Sequence, residues 1–187
     1  MLLSTAKRTN LCNGVMNDQF DIRIGSPEDA EIFAKLGAQT FDESFGHLYA
    51  PKDLNAFLAD NHTKTANARM LGDPAYRLWL VEDGDARPVG YGVGGPCDLP
   101  VPDLPEGSGE LVRLYLLKEA YGKGIGSALL EEVLAWLREN FEHNFVSVYA
   151  KNYGAQRLYA RYGFVKIHEY DFMVGSHADP EWIMKLA

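Results

Sequence analysis

The sequence predicts one mixed α/β domain, and three observations carry that expectation. Extended and helical patterns alternate along its 187 residues, in the order strand, helices, strands, helix, strand, helix, strands. After the loop "AYGKGIG", residues Ile125, Leu129, Leu130, Val133, Leu134 and Leu137 fall on one helical face, the clearest periodicity in the chain. No repeat, low-complexity segment or composition break divides the remainder. A chain this long buries roughly two-thirds of its unfolded surface as one domain.

The elements follow from local chemistry. Phe20–Ile24 alternates as a short strand, and "SPED" then supplies a Ser cap, a Pro at the first helical position and first-turn acids. Ile32, Phe33, Leu36 and Thr40 form that helix's apolar face. Pro51 opens a second helix carrying Leu54, Phe57 and Leu58, and a third spans Thr63–Leu71 before "GDP" stops it. Strands Tyr76–Glu82 and Pro88–Gly94 flank an Asp-Gly-Asp turn and read as a hairpin. The Pro-rich "PCDLPVPDLPEGSG" is a long surface connection of the kind that often carries function. Beyond it come strand Glu110–Leu117, helix Gly124–Asn140, strand Asn144–Ala150 and helix Tyr153–Tyr162. Two last strands, "FVKIHEY" and "EWIMKLA", are expected to be joined through "DFMVGSHADP".

The totals narrow the function classes. A net charge of -8 disfavours nonspecific binding to nucleic acid or to an anionic membrane, and it tolerates a cationic partner. No apolar run approaches the ~20 residues of a membrane span. Cys12 and Cys97 form no CxxC and join no His cluster, so free thiols, a reducing cytoplasmic location and no metal are expected. The first residues lack a signal-peptide core, and Met16 offers an alternative start. Residues 1–19 are therefore read as a non-native or flexible extension ahead of a domain spanning 20–187.

The loop "AYGKGIGSAL" reads as an anion cradle. Gly122, Gly124 and Gly126 permit a tight turn and close approach of a ligand. The first-turn amides of the next helix point outward, and its dipole favours negative charge by ~0.3–1 kcal/mol. Lys123 adds a positive charge. The Walker pattern fails because no Gly lies where GxxxxGK requires it. The dinucleotide pattern fails because the spacing is GxGxG and the next strand ends in Ala150-Lys151-Asn152, without an acid.

A third reading rests on resemblance. Gly124-Ile125-Gly126, between a strand and a helix, resembles the acyl-CoA loop of the GNAT N-acetyltransferase superfamily. Tyr121 stands where that family usually has Gln or Arg. Some thirty residues on, "AKNYGAQRLYARYGF" is similar to the family's N-x-x-A-x-x-L-Y-x-x-x-G-F, matching at Asn152, Ala155, Leu158, Tyr159, Gly163 and Phe164. The resemblance implies a mostly antiparallel, twisted sheet flanked by helices, with acetyl-CoA as cosubstrate. It places pantetheine at Leu114, Tyr115 and Leu116, and pyrophosphate at Gly122, Lys123, Gly124, Ile125, Gly126 and Ser127. Asn152 contacts pantetheine in this scheme, or caps its helix.

An alkylammonium has a pKa of ~10.4, so the reaction needs a proton acceptor, while a phenol at ~10 can donate to the leaving thiolate. In the family the position of Tyr159 is the general acid. Glu110, on the strand before the loop, is the candidate base, with an exposed edge carboxylate as the alternative. Ser147, where some relatives carry a base, cannot serve. His47 is a second candidate base, with a loop histidine near the acceptor entrance as the alternative, and Asp42 and Glu43 either attract a cationic substrate there or form a solvated helix end. The flanking "TFDESFGHLYAPKDLNAFL" and "EYDFMVGSHADPEWIMKLA" resemble PaiA-type acetyltransferases, which implies a small-molecule amine such as spermidine or spermine. Acetylation of a protein N-terminus or lysine, and a noncatalytic acyl-CoA-binding module, stay open, as does a homodimer.

Overall fold

The computed structural model describes residues 20–187. The expectations for the N-terminal extension, Met16 and Cys12 lie outside the described residues. Seven strands form one sheet: β1 (Phe20–Ile24), β2 (Arg77–Asp83), β3 (Pro88–Pro96), β4 (Ser108–Leu116), β5 (His143–Tyr149), β6 (Phe164–Val174) and β7 (His177–Leu186). Their spatial order is β1-β2-β3-β4-β5-β7-β6. Every neighbouring pair is antiparallel except β4 and β5. The mixed, mostly antiparallel sheet is thus as expected.

Helices cover both faces. On β3, Tyr91 meets Phe33 of α1 (Ala30–Phe45) with ring centroids 5.9 Å apart. Its neighbour Gly92 faces Leu129 and Val133 of α4 (Ile125–Asn140). Successive strand residues point to opposite faces, so α1 and α4 lie on opposite sides. The α1 side also carries α2 (Pro51–Asn61) and α3 (Lys64–Gly72), and α5 (Tyr153–Arg161) precedes β6. The α4 stripe Leu129, Leu130, Val133, Leu134 and Leu137 is almost wholly buried. Each such side chain contributes about 1.5–3 kcal/mol on burial. A second cluster joins Phe41, Tyr49 and Val174, with Phe57 and Phe172 packed against it.

The last hairpin departs from expectation. "DFMVGSHADP" is mostly strand, turning at Gly175-Ser176 with Gly175 at φ 59. Its Gly, Ser, Asp and Pro content mimics a loop, but tertiary contacts extend the ladder. Val174 is fully buried in the second cluster, and buried Asp179 accepts a hydrogen bond from Tyr49.

The pairing of β4 is irregular on both sides. Val93 pairs with Arg113 but Gly94 with Leu111, so Val112 is an extra, bulged residue. Pairing of β4 with β5 stops at Leu111 and Val146. A bulge bends its strand. Beyond it the two strands part, leaving an open seam in mid-sheet.

At the domain's start, a capping box joins Ser26 to Asp29. Asp29 accepts from Arg23 Nη1 and Nη2 at 2.7 and 2.8 Å and from the Ser26 amide at 2.8 Å. Arg23 also donates to Glu82. The Arg23 guanidinium holds the Asp29 carboxyl well below the usual carboxylate range. The stabilising contribution is therefore present above the unfolded pKa of ~3.9 and fades as pH falls through the depressed folded value. Asp29→Ala is expected to lower stability in urea by about 2–3 kcal/mol at neutral pH. The difference from wild type should shrink in acid, and an unchanged midpoint at pH 7 contradicts the role.

Candidate active site

Two cavities meet at the seam. The first, of about 640 Å³, runs between the parted ends of β4 and β5 to the glycine loop and α5. The second, of about 520 Å³, lies on the α1 side beneath the β3–β4 connection. Phe45, Val112, Arg113, Tyr115, Ser147, Tyr149 and Glu181 wall both. Phe45 spans the parting strands, its ring edge-on to Tyr115 of β4 at 6.4 Å and to Tyr149 of β5 at 6.0 Å.

The glycine loop is built as a cradle. Gly122 and Gly124 have φ of 75 and 81, a left-handed conformation that disfavours side chains. A Cβ at either would meet nothing within 4 Å, so open space lies in front of them. Gly124 caps α4, and the first intrahelical bonds start from the Ser127 and Ala128 amides. Amides ahead of these have no carbonyl to bond within the helix.

Of the residues singled out in the sequence, Leu114, Tyr115, Leu116, Gly122, Gly124, Gly126, Ser127, Asn152 and Tyr159 line the first cavity. Two do not. Lys123 places Nζ 5.3 Å from the Phe20 ring centroid, because the left-handed glycines on either side turn it away from the cradle. Ile125 lies in the core at 5% exposure, leaving only its backbone near the loop. Arg161, which was not anticipated, lines the first cavity. Asn152 caps α5, its Oδ1 accepting from the Ala155 amide at 3.1 Å.

Tyr159 is buried, and no hydrogen bond from its hydroxyl is seen among the described residues. Burial, then the Glu181 charge, pushes its pKa up. Glu110 is neither exposed nor at an edge: β4 is an inner strand, and the residue is 8% exposed in the second cavity. Its Oε2 accepts from the Asp98 amide at 3.2 Å. Burial is the main cause that pushes its pKa up to about 7.

His47, Asp42 and Glu43 line neither cavity. Glu43 instead accepts from the Lys118 amide at 3.1 Å, tying the end of α1 to the turn before the glycine loop. The acids at the second cavity come from elsewhere: Asp98, Glu110, Asp179 and Glu181. Glu181, on β7, accepts from Ser147 Oγ and from Tyr170 OH, the latter at 2.9 Å. Burial raises its pKa as well. Ser147 is thus a donor that holds the Glu181 carboxylate in place. Nothing local in "EWIMKLA" marks Glu181; its register opposite Tyr149 brings it to the seam.

The arrangement offers an extended cleft with an anion cradle at one end and a phenol at the other, opening on an acidic, aromatic chamber. Comparison with known proteins identifies the family. The model of the acetyltransferase (GNAT) family matches residues 38–164. An uncharacterized N-acetyltransferase of Mycobacterium tuberculosis is 31% identical over 160 residues, covering 83% of this chain and 96% of its own. The PaiA N-acetyltransferase of Thermoplasma acidophilum, solved in complex with coenzyme A, superposes with a TM-score of 0.67 at 20% identity, covering 89% of this chain and 97% of that one. The spermidine N-acetyltransferase SpeG of Vibrio cholerae does so with a TM-score of 0.61 at 20% identity, over 90% and 94% of the two chains. The chain belongs to the GNAT acetyltransferase family and is an N-acetyltransferase.

Proposed function

We propose that this enzyme transfers an acetyl group from acetyl-CoA directly to a primary amine of a small molecule, both substrates being bound together. The observation that carries the reading is that the phosphate-cradling cleft and the acidic chamber share one wall, at the seam between β4 and β5. The cleft suits CoA. The β4 backbone beyond Val112 has lost its β5 partner, so Leu114, Tyr115 and Leu116 can pair with a pantetheine arm as a strand would. The amides from Gly122 to Ser127 suit a pyrophosphate, with Ile125 acting through its backbone and Arg161 replacing Lys123 as the cation. Asn152 orders the loop before α5. Acetyl-CoA supplies the acyl group as a thioester.

The acceptor's ammonium must lose a proton, which costs about 4–5 kcal/mol at pH 7 for a pKa of ~10.4. Glu110, poised near 7, is the proton acceptor, since a base tuned to the working pH combines ionised population with driving force. Glu181, oriented by Tyr170 and Ser147, attracts the ammonium to the seam. Tyr159 holds a proton on the opposite side of the seam. Burial makes this phenol a weaker acid, so it acts by hydrogen bonding to developing charge.

Four carboxylates among aromatic walls suit an alkylammonium. Polyamines meet that requirement, and the name of the SpeG structure, a spermidine N-acetyltransferase, points the same way. Thiol release from acetyl-CoA across polyamines, amino acids, aminoglycosides and peptides tests the reading. Turnover only with peptides would move the acceptor to protein, and tight CoA binding without any turnover would make the protein a binding module.

Two sets of variants examine the residues. Tyr159→Phe should keep CoA affinity and lose at least about tenfold in kcat. For wild type, kcat/KM should rise with pH through about 7 as Glu110 deprotonates, and Glu110→Gln should remove that rise. A rise that persists in Glu110→Gln takes the residue out of the proton path. In calorimetric titration with CoA, Arg161→Ala should weaken binding about three- to tenfold while Lys123→Ala stays within about twofold. The reverse ranking would return the cradle's charge to Lys123.

A further inference from the structure

A cation, Arg113, stands where the acceptor chamber joins the CoA cleft, and it lines both. Arg113 comes directly after the Val112 bulge on β4. Its register opposite Val93, two residues from the Tyr91–Tyr115 pair, turns it to the α1 face, where the chamber lies. Among the described residues its guanidinium makes no ion pair and no hydrogen bond. A half-buried guanidinium without a counter-ion is costly, and its planar fork matches a carboxylate.

The surroundings leave room for an anion from outside as its partner. Three of the chamber's four carboxylates already accept hydrogen bonds from the protein. Glu181 is held by Ser147 and Tyr170, Asp179 by Tyr49, and Glu110 by the Asp98 amide. None lies within ion-pair distance of Arg113. His62, on the same chamber's wall, is 9% exposed, and its Nδ1 has no partner. Burial and then the Arg113 charge bring its pKa down to about 4, so it is neutral and does not compete for an anion. The Tyr91 hydroxyl is likewise buried and unpartnered. Gly37 brings the two together: a Cβ there would lie 2.5 Å from His62 Nδ1 and 3.2 Å from Tyr91 OH. Both atoms are sealed from the chamber, which leaves Arg113 to meet a ligand there.

We infer that Arg113 determines acceptor specificity by binding an acidic group, and that the acceptor is an amino acid, with its carboxylate on Arg113 and its amine toward Glu110 and Glu181. This rests on the primary-amine reading above and narrows it away from polyamines. The bound carboxylate supplies the counter-ion that the chamber lacks, while the acids take the ammonium.

Matched acceptors differing only in the carboxylate test this: lysine against 1,5-diaminopentane, and phenylalanine against phenethylamine, each assayed by thiol release from acetyl-CoA. Wild type should favour the amino acid in at least one pair by about tenfold or more in kcat/KM, the difference appearing chiefly in KM. Arg113→Gln should bring that ratio to within about threefold, and Arg113→Lys should restore part of it. Loss of a merely structural arginine would lower both members alike and leave the ratio standing, which would overturn the inference. So would a wild-type preference for the decarboxylated amine in both pairs, and in that case the primary-amine reading survives. No turnover with any of the four would overturn the inference, and the primary-amine reading would fall with it only if polyamines and aminoglycosides were inert too.

Discussion

A single irregularity in the β4 ladder organises this molecule. With Val112 bulged and pairing to β5 ended at Leu111 and Val146, the only parallel contact of the sheet among the described residues comes apart halfway along. An unpaired backbone edge is normally a liability at a sheet's rim. Here it lies in mid-sheet and is walled by helices. The glycine loop that ends β4 and the cap of α5 after β5 both open onto the same gap. The bulge also fixes side-chain direction, since one added residue reverses which face each later residue meets. Arg113 and Tyr115 face the α1 chamber for that reason, while Leu114 packs with the core.

The polar groups around the gap differ in how far they are satisfied. The carboxylates are buried enough to raise the pKa of Glu110 and Glu181, yet each accepts hydrogen bonds from fixed neighbours. That combination keeps a carboxylate in place and tunes its affinity for a proton toward neutrality. Asp179 is the exception: Tyr49 bonds one oxygen, and the other approaches His177 Nε2 at 3.2 Å without an aligned hydrogen bond. The phenols Tyr159 and Tyr170 are shifted in the opposite functional sense, held protonated by burial and by the Glu181 charge.

Much of this was legible in sequence where the chemistry is local. The Ser26–Asp29 cap, the Gly124 start of α4 and its apolar stripe depend on neighbours a turn away, and the sequence shows each of them. The cradle and the Tyr159 helix were legible for the same reason, as short motifs. Lys123 was misread because composition shows its charge but not the direction that two left-handed glycines impose. Glu181, Tyr170 and Ser147 were invisible as a group, since they sit on three strands brought together only by the β5-β7-β6 order. Glu110 was found on the right strand, but its burial depends on the β3–β4 connection folding over it through Asp98.

The central claim is that the open seam receives CoA. Hydrogen–deuterium exchange with and without CoA reads it at the backbone. The account predicts that CoA slows exchange in β4 beyond Val112 and in the loop from Gly122 to Ser127, with little change in α2 or α3. Protection confined to the α1-side chamber, or none along β4, would contradict it.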